Sequence, residues 1–261
     1  MMRQRSIYIL ILCLLAAVVL SPVRGGAQET AQGAGAAATR LSLSEIVNNL
    51  AKSDDQRAKE LVHYQGKREY QIDYKGFPHD LHAEETVLVT YNAPSTVEFT
   101  EVSEEGSKLI LNRVIRPIMK TEQESIQPGN HERTLITADN YNFTLLDSSA
   151  ADGNACPYIL GVEPKMPNKF LFRGKIWVND KDFAICKIEA EPAKNPSFWI
   201  KSTAIHHSFM KIGDFWLPAE NESASNIRIG GRATLTIKYE DYQVQPAPGL
   251  QAIANLPPHS Y

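Results

Sequence analysis

Between Val62 and Tyr74 the residues Val62, Tyr64, Tyr70, Ile72 and Tyr74 all fall on even positions, while the odd positions from His63 to Asp73 are polar. Successive side chains of a strand point to opposite faces, so this run predicts a long antiparallel strand with one dry side and one wet side. Gly66 and Arg68 interrupt the dry side. The alternation returns near the other end, where Ala233, Leu235, Ile237 and Tyr239 alternate with Thr234, Thr236, Lys238 and Glu240. A one-sided sheet must bury its dry face against helices of its own or against a guest.

The rest of the chain supplies both strands and cover. Ser42 and Glu45 form an S-x-x-E capping box, Leu41 and Ile46 fit a hydrophobic staple, and Ile46, Val47, Leu50, Ala58 and Leu61 continue a helical stripe. Asp54 weakens the middle of that helix, which ends at the long strand. Strands are predicted over 84–91, closed by Pro94, and over 96–102. A hairpin loop at 103–107 and a returning strand at 108–111 follow. Val114, Ile115, Ile118, Met119 and Ile126 then mark a second amphipathic helix over 113–126, with Pro117 as a kink or first turn. Residues 127–134 read as a polar loop and 135–147 as a return to the sheet. Further strands are predicted over 158–162, 170–178, 183–191, 197–211, 215–224 and 232–243. The fold class is α+β, mainly antiparallel β: one sheet of about nine to eleven strands with two helices.

Arg3 and Arg5 precede an apolar run from Ile7 to Leu20, followed by Pro22, Gly25, Gly26 and Ala27. This is the layout of a secretory signal peptide, residues 1–27, and the run is shorter than the roughly 20 apolar residues of a spanning helix. Residues 28–40 read as a flexible leader, 41–243 as the folded domain and 244–261 as a Pro-rich tail. Removing 1–27 leaves 24 basic against 30 acidic residues, a balance that attracts no nucleic acid. Cys156 and Cys186 are then the remaining cysteines. In an oxidising compartment they are disulfide candidates, and two separate buried thiols are the equal alternative.

Enzyme motifs are scarce. The chain has no G-x-S-x-G elbow, phosphate loop, dinucleotide fingerprint or H-E-x-x-H. His206 and His207 are adjacent on a predicted strand and point to opposite faces, which makes them poor joint metal ligands. Glu84 with Glu85 and Glu104 with Glu105 read as solvated surface rather than an acid and base pair. No catalytic residue, cofactor or metal site is assigned, and the sequence reads as a non-enzyme.

Aromatic residues gather in the second half: Trp177, Phe183, Phe198, Trp199, Phe215, Trp216 and Tyr239, all on predicted strands. Core packing is the ordinary use of such residues. Two helices must nonetheless cover a very wide sheet. Each buried apolar side chain contributes roughly 1.5 to 3 kcal/mol, so a partly uncovered face favours a cavity for a lipid-sized guest.

A capped first helix, a long strand, the run Val87-Leu88-Val89-Thr90-Tyr91-Asn92-Ala93-Pro94, then Phe99 and the Glu105-Gly106 hairpin resemble the periplasmic lipoprotein carrier superfamily of LolA, LolB and RseB. The segment from Phe170 to Pro192 is similar to paired strands of its outer-membrane lipoprotein-sorting members. The resemblance spans residues 41–243. It implies a curved half-barrel with helices in its concave face and a cavity for acyl chains or a lipidated protein. It also implies a periplasmic location and a role in lipoprotein or lipid transport to the outer membrane. Its lining would be Tyr70, Ile72, Val89, Ile115, Ile118, Met119, Trp177, Phe183, Trp199, Trp216, Leu235 and Tyr239. The alternatives are an RseB-like sensor or scaffold reporting to a membrane-bound envelope partner, and an exported hydrolase.

Overall fold

The computed structural model describes residues 41–148, 155–195, 197–228 and 230–247. The signal peptide and leader expected over 1–40, and most of the Pro-rich tail, lie outside those residues. Helix α1 (Leu43–Glu60) starts where the capping box places it. The Ser42 N–H donates to Glu45 Oε2 at 2.8 Å, and the Glu45 N–H donates to Ser42 Oγ at 3.3 Å. Two of the orphan donors at the helix start are thereby satisfied. The chain then passes directly into β1 (Leu61–Lys75), the long strand of the alternating pattern.

Nine more strands complete one open antiparallel sheet: β2 (Leu81–Asn92), β3 (Thr96–Gly106), β4 (Tyr141–Asp147), β5 (Tyr158–Pro164), β6 (Phe172–Val178), β7 (Ile185–Pro192), β8 (Ile200–Ile212), β9 (Phe215–Ile227) and β10 (Arg232–Pro246). Their spatial order is β3-β2-β1-β10-β9-β8-β7-β6-β5-β4, so β3 and β4 are the edges. The pairing of β1 with β10 joins the two ends of the fold. Tyr70 lies opposite Ile237 and Glu85, Ile72 opposite Leu235 and Ala83, and Arg68 opposite Tyr239 and Val87. The dry faces of the three strands therefore coincide, and a one-residue slip would turn them all to water. At Gly66 the β1–β10 register shifts, and the Tyr242 ring packs so closely that a Cβ there would sit 3.1 Å from it.

The segment between the edges holds the second cover. It comprises α2 (Lys108–Ile110), a π-helical turn over Leu111–Ile115, α3 (Arg116–Ser125) and α4 (Pro128–His131). The predicted loop at 103–107 and strand at 108–111 are corrected here. β3 continues to Gly106, and Ser107 caps a helix that places Ile110, Leu111, Ile115 and Met119 inward. The four-residue run Lys108 to Leu111 is compatible with either period, and the helical one wins because it extends to Met119. Pro117 sits in the first turn of α3, just after the π turn, where a missing N–H does least harm.

Other boundaries move as well. The polar loop at 127–134 contains α4, and the sheet resumes only at Tyr141. Phe183, Phe198 and Trp199 lie in turns rather than on strands, Phe183 with a φ of 52°. β10 runs on to Pro246 instead of stopping at 243. Cys156 and Cys186 form a disulfide with their Cα atoms 6.5 Å apart.

One face of this sheet buries two separate apolar clusters. Helix α1 packs Ile46, Val47 and Leu50 on Tyr141, Leu160, Val162, Ile176, Val178 and Ile188 of β4–β7. The α2–α3 segment packs Ile110, Leu111, Ile115 and Met119 on Tyr70, Ile72, Val87, Val89, Ile237 and Tyr239. Between them the same face is polar on β8 and β9. Thr203 and Ser225 share a hydroxyl hydrogen bond of 2.8 Å, and Ser223 Oγ donates to Asn221 Oδ1 at 3.0 Å.

Candidate functional site

The space between α3 and the strands β1, β2 and β10 gathers eight of the residues that the sequence assigns to a lining. Tyr70, Ile72, Val89, Ile115, Met119 and Tyr239 are buried, with Ile118 and Leu235 packed against them. They touch one another directly, so this compartment is filled by its own helix.

At its centre stands Arg68, only 4% exposed. Its Nη1 donates to Glu122 Oε2 of α3 at 2.6 Å, and its Nη2 donates to Glu122 Oε1 at 2.9 Å. The guanidinium also lies 4.8 Å from the centre of the Tyr239 ring and 5.5 Å from that of Phe99. Burial works against its charge, and the attraction of Glu122 outweighs burial and holds the proton more firmly than usual. Burial pushes the Tyr70 hydroxyl up to about 12 and raises Tyr239 and Tyr242 as well. These phenols are neutral at any physiological pH.

Two more polar groups border the compartment, Glu85 buried and His207 partly so. Glu85 is 2% exposed and raised by burial, and its Oε2 has no hydrogen-bond partner among the described residues. His207 stacks on Phe209 at 4.4 Å and on Tyr239 at 6.1 Å between ring centres. Burial, aided by the charge of Arg68, pushes its imidazole down to about 4, and its Nε2 is also without a partner among the described residues. Among the described residues no group of three His, Cys, Asp or Glu side chains is placed to hold a metal.

The other four sequence-assigned residues are placed elsewhere. Trp177 lies under the Lys187 ammonium at 4.8 Å, Phe183 stacks on Tyr158 at 6.3 Å, and Trp216 Nε1 donates to Asp182 Oδ2 at 2.9 Å. Trp199 is half exposed on the β7–β8 turn. Conversely, Glu122 escaped the sequence reading; Glu85, expected on the solvated surface, is corrected to a buried position because its strand partner Tyr70 faces the core, and His207 was weighed there only as a metal ligand. The one signal that pointed to the polar centre was Arg68 standing on the dry side of β1.

The opposite face of β4–β10 carries an open groove of about 830 Å³. Gly161, Ala204 and Ala224 keep it low, and Leu146, Lys175, Glu189, Asn226 and Arg232 line it. Arg173 in its wall pairs with Glu163 at 3.2 Å and Glu191 at 3.4 Å. Its charged rim contrasts with the interior beneath α3.

A family model described as a family of unknown function, DUF5686, matches residues 137–242. No curated protein matches the chain. Among solved structures, the chain is similar to an outer-membrane lipoprotein-sorting protein domain from Vibrio parahaemolyticus, at 10% identity over 77% of this chain and 93% of that one, with a TM-score of 0.39. A LolA superfamily protein from Nitrosomonas europaea matches at 12% identity over 78% and 96%, with a TM-score of 0.35. A DUF1329 family protein from Desulfovibrio piger matches at 13% identity over 78% and 93%, with a TM-score of 0.39.

Proposed function

We propose that the protein is a periplasmic binding protein that shields acyl chains of lipids or lipidated proteins beneath the α2–α3 segment, in transport towards the outer membrane. The observation that supports this reading is the construction of that cover. A short helix, a π turn and a proline-started helix lie over an apolar strand face, and what ties them to the sheet by charge is a few ion pairs. They include Arg68–Glu122, Arg116 with Glu101 and Glu104, Lys108–Glu104 and Lys169–Glu124. A cover of this kind can lift as a unit, with the π turn taking up the change in backbone direction.

Lifting uncovers Tyr70, Ile72, Val89, Leu235 and Tyr239, and a hydrocarbon chain replaces Ile115, Ile118 and Met119 against them. Each apolar side chain left bare costs roughly 1.5 to 3 kcal/mol. Opening therefore accompanies the arrival of a guest, and the empty protein stays shut. Protein stripped of lipid and titrated with a fluorescent fatty acid should take up the probe with faster amide exchange in α3. Lipid should also appear in native mass spectra of protein purified from a bacterial periplasm. Absence of both uptake and co-purified lipid would overturn the reading.

A further inference from the structure

The most exposed large apolar side chains described are Met166 at 80%, Phe198 at 74%, Phe77 at 73% and Leu109 at 63%, and all four project from the same end of the sheet. The strand registers place them there. Gly106, which precedes the Leu109 segment, pairs with Ala83 at the start of β2, and Lys75, which precedes Phe77, pairs with Arg232. Ile200, which follows Phe198 and Trp199, pairs with Ile227 at the β9–β10 turn, and Pro164 ends β5 beside Tyr141, just before Met166. Hydrogen bonds join three of these loops into one rim. The Tyr74 hydroxyl lies 2.7 Å from the Phe77 carbonyl and 3.1 Å from that of Gly230. The Arg228 N–H donates to the Trp199 carbonyl at 2.8 Å, its Nε donates to the Phe198 carbonyl at 2.6 Å, and its guanidinium lies over the Phe198 ring. Gly231, at a φ of 120°, allows the close approach, since a Cβ there would stand 2.8 Å from the Lys75 carbonyl.

Charge is distributed to match. Residues 165–171, 193–199 and 228–232 carry Lys165, Lys169, Lys194, Arg228 and Arg232 and no carboxylate, in a chain whose net charge is −3, whereas residues 127–140 at the same end balance His131 and Arg133 with Glu132 and Asp139. In the Phe77 loop Lys75 and Asp80 pair with each other. At the far end of the sheet the turns at 179–184 and 213–214 hold Asp180, Asp182 and Asp214 against Lys181. A water-facing edge bearing phenylalanine, tryptophan and methionine is costly unless something covers it, and one whose Phe198 and Met166 loops carry cations fits a surface that is greasy within and negative outside. We propose that this rim docks the protein on an anionic lipid bilayer, with Phe77, Phe198 and Trp199 at headgroup depth and Lys165, Arg228 and Arg232 on lipid phosphates. The inference does not depend on an acyl guest beneath α3.

The test is co-sedimentation of the full chain with vesicles of phosphatidylcholine alone or mixed equally with phosphatidylglycerol. Binding should require the anionic lipid and weaken with salt, and Lys165→Ala and Arg232→Ala should each lower affinity about five-fold. Phe77→Ser with Phe198→Ser should lower it further. In a Trp177→Phe/Trp216→Phe variant the remaining Trp199 should be quenched by brominated lipid, a readout local to the rim that no other part of the chain can mimic. Equal binding to both vesicles, an unquenched Trp199, or a dimer that Phe198→Ser dissociates and that excludes vesicles would each overturn the proposal. Fatty-acid uptake by the rim variants should match the parent protein, which separates the failure of docking from failure of guest binding.

Discussion

The two apolar compartments of this sheet are closed by different means. Under α1 the helix packs apolar residues on β4–β7 and keeps its Arg57–Asp54 pair on its partly exposed flank, the helix is capped at its start, and the Cys156–Cys186 disulfide ties nearby chain together. Under α2–α3 the packing surrounds a charged Arg68 and borders the partnerless oxygen of Glu85, and the helical path is interrupted by a π turn. A purely apolar interior gains stability from every methylene and has no reason to open. A buried ion pair is a weak source of stability and a sharp source of geometry, because separating its partners leaves a charge stranded. On the proposed function, this contrast makes the α1 half the fixed base and the α2–α3 half the element that moves.

Substitutions can break or sharpen that contrast. Leu50→Ala, at a fully buried position beneath α1, should cost about 2–5 kcal/mol in urea unfolding and lower protection throughout the sheet. If it loosened α1 alone, the base would not be a base. Removing the disulfide with Cys156→Ser and Cys186→Ser frees a loop with a sequence separation of 30 residues and should cost about 3–4 kcal/mol. That loss should speed amide exchange in β5–β7 and spare α3. Glu122→Gln should act the other way, costing about 2 kcal/mol because Glu122 is partly exposed and Arg68 is not. Its signature is faster exchange in α3 with α1 unchanged.

The smallest effect expected is a pH dependence carried by His207. An unfolded chain protonates this imidazole near its ordinary 6.5, whereas the folded one does so only near 4. Falling pH across that window therefore favours unfolding, by about 1–2 kcal/mol once partial solvation is allowed for. The groups facing it are Arg68, Phe209 and Tyr239, none of which titrates there. His207→Leu should flatten the stability curve between pH 6.5 and 4 relative to the parent protein.

Much of the architecture was legible because the period-2 pattern is strong where one face is dry. The β1 and β10 alternations and the Ser42–Glu45 cap each appear where residue type alone places them. The Lys108–Leu111 stretch was misread because four residues cannot distinguish two periods, and only the later inward positions Ile115 and Met119 settle it. The candidate site was half legible. Apolar lining residues announce themselves by periodicity, but Glu122 sits on a helix that looks like any solvated face, and its meaning depends on Arg68 arriving from a strand 54 residues away. The aromatic residues misled for a related reason. Trp177, Trp199 and Trp216 have strand-like neighbours in sequence, and which face or turn they occupy is set by register, which composition does not encode.

An open sheet also has two borders, and their chemistry governs how crowded copies behave. β3 leaves one row of backbone groups free for another chain's strand, and it carries Glu98, Glu101, Glu104 and Glu105 along its length. Arg116 offsets Glu101 and Glu104, while Glu98 and Glu105 place further charge on this border, and charge of this kind works against edge-to-edge pairing of copies. The β4 border is only seven residues long and offers a short template. Charge on one border and brevity on the other are both features that disfavour such pairing.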